Sequence, residues 1–341
     1  MKIAIYGAGA MGTVLGAYLW KNGCPVDMVN KNKEKVLALR ENGATITGYA
    51  NFTVPVRAIF PEEMDGDYDL IFLMTKQTAN PTVLPFLKTR LSEKGIVCTM
   101  QNGVPDLSVA EIIGKDRTIG AAMMWGASYI APGVFELTTD IEHQANVLHR
   151  PLFNIGEING EITERVQAAA DILSIMGPAK VSDHLLDTRW NKLVINCCGS
   201  GMSAVTGSAF GAIIDNPRAM DCLRNIAYEV AIVALAAKRN IGEKYTKILL
   251  NEEKCKAFYY GIYDVARTGK ASMLQDLEAG RLTEVDMLSG HVCKTGRELG
   301  IATPYNDKVV EIVHGIEQGI YPLSPENVNL FPTFNYPDKE L

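Results

Sequence analysis

The sequence lacks the clusters that announce metal, disulfide or hydrolase chemistry. Its seven cysteines, at 24, 98, 197, 198, 222, 255 and 293, include no Cys-x-x-Cys, and an odd number cannot pair completely. Neither a zinc cluster nor a disulfide framework is expected, and reduced thiols fit a cytoplasmic location. The adjacent Cys197 and Cys198 read as small buried side chains. The five histidines, at 143, 149, 184, 291 and 314, form no His-Glu-x-x-His, and no Gly-x-Ser-x-Gly elbow occurs, so no metal site and no hydrolase are expected. Positive charge is scarce: 33 basic against 39 acidic residues leave a formal charge of -6. Nucleic acids and membranes are therefore not expected as partners, since both need concentrated positive charge. No signal-peptide pattern is visible, because Met1-Lys2 runs straight into an apolar strand. One charge-free run, Leu193–Ile214, is long enough to span a bilayer. It carries Asn196, Ser200, Ser203, Thr206, Ser208 and four glycines. Such groups are costly in lipid, so a buried helix plus a turn is expected instead.

A length of 341 residues suggests two domains, and a hydrophobic fraction of 47% is ample for a sizeable core. Strand patterns fall at Lys2–Tyr6, Pro25–Val29, Leu70–Met74, Ile96–Met100 and Thr118–Met124, with helical spacing at Met11–Asn22 and between several of the later strands. Strands alternating with helices predict a parallel sheet covered on both faces. Residues Tyr129–Ile158 are rich in Gly, Pro, Thr and β-branched side chains, and suit antiparallel strands at the sheet edge. A helix at Glu161–Met176 and a strand at Ala179–Ser182 follow. Beyond about Leu186 the strand signal disappears. Asp187–Cys198, Asn216–Arg239, Tyr245–Arg267, Val285–Leu299 and Tyr305–Gln318 read as helices, and an irregular tail begins near Pro322. The expected fold is α/β: an N-terminal Rossmann-type parallel-sheet domain, residues 1–185, and an all-α C-terminal domain, residues 186–341.

Gly7-Ala8-Gly9-Ala10-Met11-Gly12 fits G-x-G-x-x-G between a strand and a helix, the context that gives this motif meaning. Gly7 permits a tight turn, Gly9 lets the backbone approach a pyrophosphate, and Gly12 lets the helix pack on the strand. The helix N-terminus then faces the phosphates with unpaired N–H groups. An NAD site usually has an acidic residue at the end of the second strand, about 20 residues on. Here the strand ends Met28-Val29-Asn30-Lys31-Asn32-Lys33, and Asp27 comes too early, within the strand. Lys31 and Lys33 can neutralise a 2′-phosphate and Asn30 can hydrogen-bond it, which points to NADPH. Thr75-Lys76 and Gln101-Asn102-Gly103 follow later strands, at the end of the sheet where such ligands bind.

In the helical half, Lys192, Asn196 and Ser200 recur every fourth residue and share one helix face. A lysine in these apolar surroundings has its pKa lowered, which suits proton transfer. A second polar segment runs from Ala271 to Asp286. Together these motifs resemble the ketopantoate reductases (2-dehydropantoate 2-reductases) nearly from end to end. The resemblance rests on the glycine loop, Lys76, Gln101-Asn102-Gly103, Trp190-x-Lys192-Leu193-x-x-Asn196 and Ser272-Met273-x-Gln275-Asp276. Gly280-Arg281-x-Thr283-Glu284-x-Asp286 and Gly300-Ile301-x-x-Pro304-x-Asn306 complete it.

The resemblance implies hydride transfer from NADPH to the C2 carbonyl of 2-dehydropantoate, a step toward pantothenate and coenzyme A. It implies that Lys192 is the general acid, and that Glu284 lies near Lys192 and the nicotinamide ribose. It gives Ser272 the substrate carboxylate, Asn196 another substrate group, and Asn102 both cofactor and substrate. Lys31 falls at the 2′-phosphate, and Gly126 at a backbone position near the nicotinamide. Many members carry a second asparagine four residues after Asn196, where this chain has Ser200. That departure keeps open a paralogous reductase of another 2-oxo acid. A third reading, a non-catalytic NADP-binding sensor, leaves the Lys192–Glu284–Ser272 set without a purpose. A homodimer through the helical half is compatible with the sequence.

Overall fold

The computed structural model describes residues 1–340. The chain folds into two compact units. One comprises Met1–Gln101 and Pro105–Leu185; the other comprises Asn102–Val104 and the chain from Leu186 onward.

The first unit holds the strands: β1 (Ile3–Tyr6), β2 (Asp27–Val29), β3 (Ala44–Gly48), β4 (Phe52–Val54), β5 (Arg57–Ile59), β6 (Tyr68–Leu73), β7 (Leu91–Thr99), β8 (Thr118–Met123), β9 (Ala127–Ala131), β10 (Val134–Leu137), β11 (Phe153–Gly156) and β12 (Ala179–Val181). Its helices are α1 (Ala10–Lys21), α2 (Lys33–Asn42), α3 (Asn80–Lys88), α4 (Asp106–Ile113), α5 (Ile141–Asn146) and α6 (Glu164–Leu173). The main sheet runs β12-β11-β8-β7-β6-β1-β2-β5 and is parallel except where β11 opposes β8. The central strands are continuous apolar runs such as Ile-Ala-Ile-Tyr, buried throughout, as expected when helices cover both faces.

Expectation and structure part over residues 129–158. Only β11 joins the main sheet antiparallel. Strands β9 and β10 build a second sheet, ordered β4-β3-β10-β9, in which β10 runs parallel to β3. This small sheet packs on α1. Helix α1 is therefore enclosed, which explains why its Thr13, Val14, Leu15, Ala17 and Leu19 are buried without leaving a polar stripe.

The second unit is helical: α7 (Leu185–Thr206), α8 (Phe210–Ile214), α9 (Pro217–Ala236), α10 (Glu243–Leu249), α11 (Glu252–Asp264), α12 (Ser272–Glu278), α13 (Ser289–Glu298) and α14 (Pro304–Glu317). The charge-free run 193–214 is the end of α7, a turn at Gly207 with φ +62°, and α8. Among the described residues no helix is long and apolar enough to cross a membrane. The single helix expected over Tyr245–Arg267 is two helices. Asn251 interrupts it by capping α11, its side chain accepting from the Lys254 N–H. The tail is irregular in backbone yet firmly held. Tyr336 stacks on Tyr228 at 4.6 Å, and the buried Arg224 pairs with Asp338 at 3.2 Å.

Candidate active site

The glycine loop is a backbone construction. Gly7 has φ +109°, and a Cβ there would sit 2.6 Å from the Met74 carbonyl carbon. A Cβ on Gly12 would lie 2.5 Å from the Gly7 oxygen. Both positions demand glycine for close approach. Gly9 differs: its added Cβ would meet no protein atom nearer than 4.0 Å, so the cradle is open on that side. The Gly7 and Ala8 N–H groups donate to the Val29 oxygen at 3.0 and 2.9 Å, tying the loop to the end of β2. Ala10, Met11 and Gly12 form the first turn of α1, whose N–H groups have no intrahelical acceptor.

The end of β2 carries no acid directed outward. Asp27 is buried in the strand, accepts from the Tyr68 hydroxyl at 2.6 Å and pairs with Arg57 at 3.2 Å. Lys31 and Lys33 are exposed. Asn30 is used locally: its Nδ2 donates to the Ala8 oxygen at 2.6 Å, and its Oδ1 accepts from the Asn32 N–H at 2.9 Å. Its amide thus fastens β2 to the glycine loop, a role the local sequence does not disclose.

Beyond β6 and β7, Lys76 and Asn102 are half-buried. Gln101 is the tie between these strand ends. Its Nε2 donates to the Thr75 oxygen at 2.9 Å and to Asn80 Oδ1 at 2.7 Å. Gly126 follows β8. Its N–H donates to Thr139 Oγ1 at 2.9 Å and its oxygen accepts from the Thr138 N–H at 3.0 Å. Both backbone groups of Gly126 are therefore engaged within the protein.

In the helical unit, α7 displays Lys192, Asn196 and Ser200 along one face. Lys192 and Asn196 are half-buried and Ser200 is buried. Lys192 retains some exposed surface, but enough protein surrounds its ammonium to lower its pKa to about 8. Burial is the main cause. The Arg189 guanidinium adds to it, and the Glu284 carboxylate opposes both. Arg189 precedes Lys192 by one helical turn and is 2% exposed. It is absent from the residues expected at the site, although its spacing of three from Lys192 is a signal that could have found it.

Two further segments belong to this unit, one tied to the far end of α7 and one bearing Glu284. The Ala271 N–H donates to Ser203 Oγ at 3.4 Å, which joins the start of α12, and with it the exposed Ser272, to α7. After α12, Arg281 Nη2 donates to Asp276 Oδ1 at 3.0 Å and closes the turn that leads to Glu284. Glu284 is half-buried and heads a 3-10 turn, Val285–Met287. Cys197 and Cys198 on α7 are fully buried, and burial pushes the Cys197 thiol up to about 12, so it carries no thiolate at neutral pH.

Such a unit can hold an anion-bearing substrate beside a proton donor poised near neutral pH. The glycine loop can receive a dinucleotide pyrophosphate. Comparison with known proteins agrees in kind. The family model for ketopantoate reductase PanE/ApbA matches residues 3–147, and that for its C-terminal part matches residues 184–317. The 2-dehydropantoate 2-reductase of Mesorhizobium japonicum is 30% identical over 346 residues, covering 94% of this chain and 100% of its own. A ketopantoate reductase structure from Ralstonia eutropha aligns with a TM-score of 0.80 at 23% identity, covering 94% of this chain and 99% of that one. A D-mandelate dehydrogenase with NADH and anilino(oxo)acetate aligns with a TM-score of 0.79 at 24% identity, over 94% of this chain and 99% of that one.

Proposed function

The chain belongs to the ketopantoate reductase family of oxidoreductases, and from that premise we propose that it reduces 2-dehydropantoate to pantoate with NADPH. The observation that carries this reading is Lys192, an ammonium lowered to about 8 with a carboxylate, Glu284, close enough to act on it. A proton donor works best when its pKa lies near the working pH.

The bound dinucleotide supplies a hydride to the C2 carbonyl carbon. Its phosphates are assigned to the loop Gly7, Ala8, Gly9, Ala10, Met11 and Gly12, where the open side of Gly9 and the first turn of α1 suit a pyrophosphate. Lys31, with Lys33 beside it, is assigned to the 2′-phosphate. The absence of an outward acid at β2 and the internal use of Asp27 favour this choice. Lys76, Asn102 and Gly126 are assigned to the cofactor through the resemblance of their motifs. Lys192 Nζ gives its proton to the oxygen that becomes the hydroxyl, and until then its charge stabilises the growing negative charge. Glu284 orients the ammonium and keeps it protonated, and is assigned to the nicotinamide ribose through the resemblance of its motif. Asn196, Ser200 and Asn102 hold the substrate, and Ser272 receives its carboxylate.

Ser200 favours a second reading. Its short hydroxyl stands where many relatives have an amide, and a hydrogen-bond mismatch in a closed site changes specificity by orders of magnitude. The alternative is a reductase of another 2-oxo acid by the same chemistry. D-mandelate dehydrogenase shares the fold, so the fold alone selects neither substrate nor nucleotide. Steady-state kinetics on a panel of 2-oxo acids, each with NADPH and NADH, decides. The proposal expects the highest kcat/KM for 2-dehydropantoate with NADPH. A higher value for a simpler 2-oxo acid transfers the assignment to the second reading. Tight NADPH binding without turnover of any member means a sensor rather than an enzyme.

A further inference from the structure

The turn that carries Glu284 is held from both sides. The Glu284 backbone oxygen accepts from the Met287 and Leu288 N–H groups at 2.9 and 3.1 Å, which closes the 3-10 turn that follows. On the preceding side, the Thr283 N–H donates to Glu317 Oε1 at 2.7 Å. On the following side, the Val285 N–H donates to Thr283 Oγ1 at 3.2 Å. Glu317 belongs to α14, so this helix grips the turn immediately before Glu284.

A histidine completes the grip. His314 Nδ1 lies 2.9 Å from Glu317 Oε2, and its Nε2 lies 3.0 Å from Asp286 Oδ1. The imidazole thus spans from its own helix to the turn two residues beyond Glu284. Both partners are carboxylates. A neutral imidazole has one N–H and satisfies only one of them, whereas the imidazolium donates to both. Burial lowers the pKa of His314, but the hydrogen bonds and charges of Asp286 and Glu317 outweigh it and leave the pKa raised. Glu317 is correspondingly ionised. Burial raises its pKa, but donation from Thr283 and His314 prevails and holds it below the ordinary carboxylate value.

We propose that His314, Glu317 and Asp286 form a positioning clasp that fixes the Glu284 turn and, through Glu284, the Lys192 ammonium. None of the three is assigned to substrate or cofactor. The inference rests on the reading of Lys192 as proton donor, and it makes α14 part of the reductase machinery rather than only part of its core. The charged groups that act on Lys192 are Arg189 on its own helix and Glu284 on the turn. Loosening the turn weakens the favourable member of that pair and leaves the unfavourable one in place. Lys192 must then lose its proton at lower pH.

The test titrates Lys192 directly by NMR in full-length protein carrying ¹³Cε-lysine, with the resonance assigned through Lys192→Arg. Wild type is compared with His314→Phe, which removes both donors, His314→Gln, which keeps one, and Asp286→Asn. Asp286 is exposed, so its variant keeps the fold even where the histidine variants do not. The expected result is a Lys192 midpoint lower by about one pH unit in His314→Phe, with smaller shifts in His314→Gln and Asp286→Asn. The high-pH limb of kcat/KM should move with it. A purely structural role predicts lower thermal stability with the midpoint unmoved in every variant, and that result overturns the clasp. The titration needs no turnover. If wild type reduces no 2-oxo acid, the proton-donor reading fails, while the NMR midpoints still decide whether the clasp acts on Lys192.

Discussion

The glycine loop and the Lys192 region are built on opposite terms. The loop is one continuous stretch of backbone, and its demands are steric: no Cβ at Gly7 or Gly12, open space at Gly9. The Lys192 region draws side chains from α7 and from the turn before α13, and its demands are electrostatic. A backbone site tolerates changes in neighbouring charge but not an added methyl group. A side-chain site tolerates modest changes in shape but not a lost charge. Substitutions that separate binding, chemistry and stability test this contrast.

The largest effect is expected at Lys192. Lys192→Ala should lower kcat by about 10²–10⁴-fold, the usual loss for a positioned acid. NADPH affinity, measured by fluorescence titration, should change little, because the loop is untouched. In the proposed role Lys192 works only when charged, so wild-type kcat/KM should fall as pH rises through about 8. An unchanged kcat in the variant removes Lys192 from the role. A high-pH limb that persists in the variant belongs to another group.

The loop should answer differently at two of its glycines. Gly12→Ala drives a Cβ to 2.5 Å from the Gly7 oxygen, so both the fold and nucleotide binding suffer. Overpacking of this kind costs about 1–3 kcal/mol in stability. Gly9→Ala meets no protein atom within 4.0 Å and should leave the unfolding midpoint near that of wild type. It should still weaken NADPH, because its methyl group occupies the open side of the cradle. Calorimetry with and without nucleotide separates the two effects. Equal losses of stability in both variants would mean that the loop is merely a tight turn.

The contrast also accounts for what can be read from the sequence. The glycine loop is legible because its requirements lie within six residues and reduce to the absence of a side chain. The register of Lys192, Asn196 and Ser200 is legible because a helix repeats locally. Asn30 reads as a phosphate ligand in the sequence because its partner, Ala8, lies in another strand-to-helix turn. The pairing of β10 with β3 escapes the sequence for the same reason: an alternating pattern marks a strand but does not name its neighbour. His314 and Asp286 stand 28 residues apart, and nothing local distinguishes that histidine from a solvated one.

Glu229 serves as a control within the helical unit. It is fully buried and accepts from the Tyr305 and Asn306 N–H groups at 2.9 and 2.8 Å, from Asn306 Nδ2 and from the Tyr336 hydroxyl. Burial pushes its carboxyl up to about 7 against these donors. The folded state therefore holds a proton that the unfolded chain has already lost above its ordinary carboxylate pKa. Stability is fully present below that pKa and falls as pH rises toward 7, by about 1.4 kcal/mol per pH unit. Glu229→Gln places an amide N–H₂ among four donors and should cost about 1–3 kcal/mol at pH 5. The penalty should shrink by pH 8, while kcat stays unchanged. Urea unfolding at both pH values checks this. A penalty that grows with pH would show that the donors outweigh burial and keep Glu229 ionised.

The smallest effect belongs to Lys31, which stands on the border between the two kinds of site. It is an exposed side chain, proposed to serve the backbone-built loop. Solvent screens its charge, so Lys31→Ala should weaken NADPH by only about tenfold, at the low end of a charge-assisted hydrogen bond. NADH, which lacks the 2′-phosphate, should be nearly indifferent. Raising salt should narrow the NADPH–NADH gap in wild type and narrow it less in the variant, where only Lys33 remains to meet the phosphate charge. Asn30 sharpens the argument. Its amide is tied to Ala8 and Asn32, which leaves Lys31 and Lys33 as the proposed readers of the phosphate at the end of β2. If Lys31→Ala weakens both nucleotides equally, Lys33 becomes the residue that reads the phosphate. If the double variant still weakens both nucleotides equally, the proposed preference for NADPH does not arise at β2.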